Sequence, residues 1–212
     1  MTQPLVIIGA GGHGREVLDV VDAINAGKPT FEVLGFLDDG SPDRALIEGR
    51  GCRVLGGSLD LPDGVAYVVG IGTGGHRRAI DERLRERAPE SPVLVHPDTT
   101  IGPDVELGPG TVVAAGVRMG NHIRIGRHVH VNMNCTVHHD AVLQDHVTLS
   151  PGCHVNGNVT LGAGSFLGTG AVVIQGRTVG ADATIGAGAV VVRDVPGGVT
   201  AVGVPARQRA QP

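Results

Sequence analysis

Tryptophan is absent from the 212-residue chain, and only three Phe and one Tyr are present. Four aromatics cannot form a base-stacking platform, and 17 basic against 21 acidic residues give a net charge of −4. Nucleic acid is therefore not expected as a partner. No apolar run approaches about 18 residues, which argues against a membrane span or membrane partner. The apolar start Pro4 to Ala10 has no basic flank and breaks into glycines, unlike a signal peptide. Cysteine is scarce too: Cys52, Cys135 and Cys153 are odd in number and lack zinc-like spacing, so reduced thiols in a cytoplasmic protein are expected. Glycine, by contrast, supplies 35 residues, far above the usual share of about 7%. With no G-X-Y period and 41% hydrophobic residues, the chain is neither collagen-like nor disordered.

The glycines follow a repeat. Every sixth residue from Ile101 to Val191 is Ile, Leu, Val or Met, without exception. The next residue is often glycine (Gly102, Gly108, Gly126, Gly162), and the fifth place of the hexad is small or aliphatic (Val117, Cys135, Cys153, Ala171, Ala189). A period of six is not that of an amphipathic helix, so short strands joined by regular corners remain. Three hexads close a triangular coil, and stacking at roughly 4.8 Å per strand gives a prism about 25 Å tall. One aliphatic side chain per hexad fills the bore, which has no room for large aromatics.

The N-terminal part reads differently. Leu5 to Ile8 is an apolar strand running into Gly9-Ala10-Gly11-Gly12-His13-Gly14, and Arg15 to Ile24 has apolar residues at helical spacing. Strand, glycine turn and helix form a phosphate-binding start, because helix N-terminal amides carry partial positive charge. Phe31 to Leu37 predicts a second strand ending in Asp38-Asp39, where a carboxylate can accept from ribose hydroxyls. Val65 to Ile71 predicts a third strand, Arg77 to Arg87 a charged surface helix, and Val93 to Val95 a fourth strand. A full dinucleotide fold needs two mononucleotide halves, and there is room for one. A mononucleotide such as the diphosphate of an activated sugar fits better than NAD. The alternative is a glycine turn that only packs helix on strand.

The hexad run resembles the left-handed parallel β-helix of the hexapeptide acyltransferases, and the segment Val199 to Arg207 resembles the tail with which those enzymes leave the helix. With the Ile8-Gly9-Ala10-Gly11-Gly12-His13-Gly14 unit ahead of it, the chain is similar to the sialic-acid O-acetyltransferase family, which includes the nucleotide-amino-sugar N-acetyltransferases of bacterial glycan biosynthesis. The resemblance implies an α/β Rossmann-like half domain over 1–97, binding the nucleotide sugar, and a left-handed β-helix acetyltransferase domain with its tail over 98–212. It implies an acetyl-CoA-dependent homotrimer with active sites between subunits, acting on the amine of a nucleotide-linked amino sugar. Gly11, Gly12, His13, Asp38, Asp39 and Gly72 match the family's sugar-nucleotide contacts.

Acyl transfer to an amine or hydroxyl needs a base and oxyanion donors. Among the seven histidines of the repeat, the pair His138-His139 alone runs directly into an acid, Asp140. The family pattern makes His139 the base and Asp140 its orienting carboxylate. By register in that family, coenzyme A contacts fall at Thr148, Gly157, Thr169 and Ala187, with Thr148 standing where relatives often have histidine. Arg193 and Arg207 are candidates for the coenzyme's phosphates. His128 and His146, 18 apart, read as a solvent-facing ladder rather than a metal pair, and no metal is expected. Two alternatives stay open: a sugar O-acetyltransferase acting on sialic acid, and a zinc hydratase of the γ-carbonic-anhydrase type.

Overall fold

A computed structural model describes residues 1–209; the final three of the 98–212 segment, 210–212, lie outside the described residues. The N-terminal unit contains β1 (Gln3–Ile8), α1 (Gly12–Gly27), β2 (Phe31–Leu37), α2 (Arg44–Glu48), β3 (Val54–Gly56), β4 (Ala66–Val69) and α3 (Gly74–Leu84). The sheet is parallel in the order β3-β2-β1-β4. Leu5 to Ile8 and Val68 to Val69 are fully buried, as expected of continuous apolar strands covered on both faces. β3 was not foreseen: it is a three-residue, half-buried edge strand with too few residues to show a period.

The expected fourth strand belongs elsewhere. β5 (Leu94–Val95) pairs with Val112–Val113, one coil further on, and so opens the β-helix. Val95 lies six residues before Ile101, in phase with the hexads, which is the physical reason for its change of partner. From there the chain winds through three sheets of eight, six and five strands, parallel except for the final strand of the first. Strands pair 18 residues apart, as in His130 with Thr148, Thr136 with His154 and Arg124 with Val142. The hexad aliphatics from Val113 to Val191 are at most 5% exposed, and the small residues Val117, Cys135, Cys153, Ala171 and Ala189 are fully buried beside them. The three thiols are free. The last coil is two residues short: Val173 pairs with Val191, 18 on, but Val179 bridges to Val195 and Thr184 pairs with Thr200, so the shortening falls between Val191 and Val195. The strand Thr200–Val202 then pairs antiparallel with Arg207–Gln208, covering the sheet's exposed edge.

The corners account for part of the glycine content. Every sixth residue from Asp104 to Gly188 has φ between 46° and 74°, eight of them Asp, Asn or His and seven Gly. Those residue types tolerate the left-handed region best.

The outer face of the eight-stranded sheet is covered by the N-terminal unit. Leu94 and Val112 join the apolar cluster of Leu5, Val17 and Val21, and the outward-facing His130 and Thr148 are buried beneath the same unit. This docking, about 25 cal/mol per Å² of apolar surface removed from water, fixes the glycine turn relative to the β-helix.

Candidate active site

The glycines of the turn divide into two kinds. A Cβ on Gly14 would collide with the Gly9 carbonyl oxygen, and Gly9 itself has φ of 102° and touches Gly70. These residues let α1 and the β4 turn approach β1. A Cβ at Gly11, Gly12 or Gly72 would meet nothing within 4 Å, so those three border open space at the C-terminal edge of the sheet, where ligands of open α/β sheets bind. Asp38 Oδ2 accepts from the Ala10 amide at 2.6 Å and Oδ1 from the Gly40 amide at 2.7 Å. Its first task is therefore to hold the turn. Asp39 accepts from the Ser58 amide at 2.8 Å and from its hydroxyl, and these bonds lower its pKa. All six expected sugar-nucleotide positions lie in or beside the β1, β2 and β4 turns.

His13 also reaches across to the β-helix. Its Nε2 is 2.7 Å from His130 Nδ1 and its Nδ1 is 3.0 Å from Glu16 Oε2. Burial drives the pKa of His130 well below the ordinary histidine value, so this ring is neutral. A cavity of about 240 Å³ beside His13 is lined by Glu16, Val17, Val20, His96 and Met133, among others.

The expected base sits at a corner. His139 Nδ1 is 2.7 Å from Asp140 Oδ2, and both side chains are about half exposed. Asp140 occupies a left-handed corner position with φ of 59°. With Nδ1–H donating to the carboxylate, the Nε2 lone pair is left free. Gly157, one coil on, lies against that ring: a Cβ there would be 2.5 Å from His139 Cε1 and Nε2. The Gly157 amide donates to no backbone carbonyl among the described residues. Thr169 and Ala187 are exposed and stacked on consecutive coils at a different corner, so one chain does not bring them to His139.

Thr148 corrects the expectation placed on it. It is 2% exposed, its hydroxyl donates to the Gly72 carbonyl at 3.0 Å and accepts from Arg77 Nη2 at 2.9 Å. The N-terminal unit covers it, which leaves coenzyme A no access. The charged helix lies at the surface but is not solvated all round. Arg77 and Asp81 of α3 are buried at 0% and 1% exposure, on one stripe with Ile80 and Leu84. Burial lowers the Arg77 pKa to about 9, which leaves it charged at neutral pH. Burial alone would raise the Asp81 carboxyl, yet hydrogen bonds from His128 and Arg127, with the His146 ring 3.6 Å away, hold it far below the usual carboxylate range.

Nor are His128 and His146 a solvent ladder. Their rings stack at 6.0 Å, buried, with Nε2 atoms 3.1 Å and 3.6 Å from separate oxygens of Asp81. Burial lowers the pKa of His128 despite Asp81, so its neutral Nε2–H donates to the carboxylate. Among the described residues no group of three or more His, Cys, Asp or Glu has the geometry to hold a metal ion. The sequence signal for this cluster was present: residues 77, 80, 81 and 84 share one helical face, and two of them are charged.

Residues 4–84 match the family model described as the PglD N-terminal domain. Across the chain, the fold is similar to the acetyltransferase domain of PglB from Neisseria gonorrhoeae FA1090, with 37% identity, 98% of this chain and 100% of that one covered, and a TM-score of 0.87. That domain has also been solved in complex with acetyl coenzyme A. PerB from Caulobacter crescentus, solved in complex with CoA and GDP-perosamine, is 35% identical over 99% of each chain, with a TM-score of 0.89. WeeI from Acinetobacter baumannii AYE is 30% identical over 98% of this chain and 100% of that one, with a TM-score of 0.83. No curated protein sequence matches the chain.

Proposed function

The chain belongs to the hexapeptide-repeat sugar N-acetyltransferases, and from that premise we propose that it moves the acetyl group of acetyl-CoA onto the amine of a nucleotide-linked amino sugar with His139 as base. The observation that carries the reading is the His139–Asp140 pair set against Gly157. Asp140 fixes the ring with Nδ1 protonated. Nε2 takes the proton of the neutral amine as its nitrogen attacks the thioester carbonyl. The Gly157 amide donates to the oxyanion that forms. Collapse of the tetrahedral intermediate breaks the carbon–sulfur bond, and the proton on Nε2 passes to the departing sulfur. Attack is direct, because the buried Cys135 and Cys153 thiols, donating to the Ser150 and Gly168 carbonyls, are removed from the site.

The nucleotide occupies the open edge at Gly11, Gly12 and Gly72, where a Cβ would project into free space. That edge lies over the eight-stranded sheet, whereas His139 stands at the corner joining the six- and five-stranded sheets. In a triangular prism that corner is opposite that face. Both halves of the site therefore meet only between copies, consistent with a homotrimer in which one subunit's cradle faces its neighbour's His139. Thr169 and Ala187, exposed at another corner, then meet coenzyme A in the groove between two β-helices. Free thiols fit a reducing cytoplasm.

The test is thiol release from acetyl-CoA with a panel of nucleotide-linked 4-amino sugars, with free sialic acid and a no-acceptor blank alongside. His139→Ala is expected to lower kcat by at least about 100-fold, the usual share of a general base, with coenzyme A binding retained. Full turnover in that variant would remove His139 from the mechanism. Release with sialic acid and with no amino sugar would instead identify a hydroxyl acceptor.

A further inference from the structure

The Gly72 carbonyl accepts from two donors at once, Arg77 Nη1 at 2.9 Å and Thr148 Oγ1 at 3.0 Å. Arg77 also holds the Ile71 carbonyl at 2.9 Å and reaches the His128, His146 and Val147 carbonyls of the β-helix at 2.8 to 3.0 Å. With the Thr148 hydroxyl, its fully buried guanidinium has six acceptors, and none is a carboxylate. A charge buried without a counter-ion is costly, so its value here lies in where it puts the backbone. The fork spans two bodies: one side grips the turn between β4 and α3, the other the corner that leads into the eight-stranded sheet.

The C=O and N–H of a trans peptide point in opposite directions. Pinning the Gly72 carbonyl toward the β-helix therefore aims the Thr73 N–H away from it; that amide has no backbone acceptor among the described residues, and a Cβ on Gly72 beside it would find no neighbour. We infer that Arg77 and Thr148 are positioning residues for nucleotide-sugar binding: they lock the Gly72–Thr73 peptide so that its amide faces the ligand. The inference rests on the reading that Gly72 borders the nucleotide site. It also gives Thr148 a role at the sugar-nucleotide side of the reaction, not the coenzyme side.

Thr148→Val keeps shape and removes the hydroxyl; Arg77→Lys keeps charge and loses the fork; Gly72→Ala adds a methyl in open space. For each, KM for the amino-sugar substrate, KM for acetyl-CoA, kcat and thermal midpoint would be measured, with direct titration of GDP, UDP and dTDP. Thr148→Val is expected to raise the sugar-nucleotide KM and the Kd of the preferred diphosphate about fivefold to tenfold, as for loss of one hydrogen bond. KM for acetyl-CoA should stay within about twofold, while the thermal midpoint falls by several degrees, because a buried hydroxyl bonded to a charged donor is lost. A purely structural role would lower the midpoint as well but leave the two KM values in proportion. If Gly72→Ala weakens diphosphate binding and Thr148→Val does not, the positioning role is wrong while the cradle stands. A rise in acetyl-CoA KM alone would also overturn it. If neither variant changes Kd, the nucleotide lies elsewhere and both readings fall. Should Arg77→Lys fail to fold, Thr148→Val carries the test.

Discussion

The same substitution two residues apart should have opposite consequences in the first glycine turn. At Gly14 a methyl group collides with the Gly9 carbonyl oxygen, and backbone on both sides prevents the collision from being relieved by rotating a side chain. α1 must move off β1, exposing part of the cluster of Val17, Val21 and Leu5. Overpacking of this kind costs about 3 kcal/mol or more, which in a chain of this size lowers the thermal midpoint by roughly 6 to 12 °C. At Gly12, in the first turn of α1, a methyl group meets nothing. Ala is favoured over Gly in a helix by up to about 1 kcal/mol, so the midpoint should hold or rise by roughly 1 to 4 °C. The cost appears in binding instead, since the methyl occupies the space a phosphate would approach; a loss of about tenfold or more in diphosphate affinity is expected, equivalent to about 1.4 kcal/mol. Thermal unfolding of both variants, followed by calorimetric titration of GDP, UDP and dTDP, checks both arms. Equal destabilisation by the two, or a Gly14→Ala protein as stable as the parent, would refute the division of the glycines into packing and ligand-facing sets.

Two further outcomes concern the buried polar contacts. Burial holds His128 and His130 neutral, below their unfolded pKa, so the unfolded chain takes up protons that the folded chain refuses as pH falls below about 6.5. Stability should be fully present well above that pH and fall as pH drops through it, by at most about 1.4 kcal/mol per pH unit for each ring that stays neutral; a flat urea midpoint between about pH 7.5 and 5.5 would contradict it. Asp81→Asn leaves Arg127 without its ion pair and His128 without a charged acceptor. The loss should be about 3 kcal/mol, and a urea-unfolding loss below about 1 kcal/mol would mean that the cluster relaxes onto water.

The β-helix was legible because its information is local and repeated. Each hexad carries its own inward aliphatic and its own corner, so Val113 or Leu149 can be assigned without knowing what lies outside the prism. Handedness is not carried by the period and came from family resemblance. The contact between His139 and Asp140 was legible for a related reason: they are neighbours in sequence and meet at one corner. Arg77 and Thr148 were not, because they are 71 positions apart and meet only once the N-terminal unit has settled on one of three faces. Charge in HRRAIDERL suggested solvent, yet the position of Arg77 and Asp81 on the stripe of Ile80 and Leu84 overrode it. β3 escaped notice because an edge strand of three residues has half its hydrogen bonds unpaired and little apolar surface to bury.

The left-handed corners have a consequence for how chemistry enters such a fold. Bending a strand six residues after the last bend requires a residue that accepts positive φ, and Gly, Asn, Asp and His are those that do so at least cost. Three of the four carry a donor or an acceptor, and two can exchange a proton. The steric rule that shapes the prism thus lines its three edges with polar side chains before any reaction is selected, and Asp140 is one of that supply. Exchanging one such residue for another changes reactivity with little penalty in backbone strain, so catalytic groups can be tried at many heights along an edge while the scaffold stays the same.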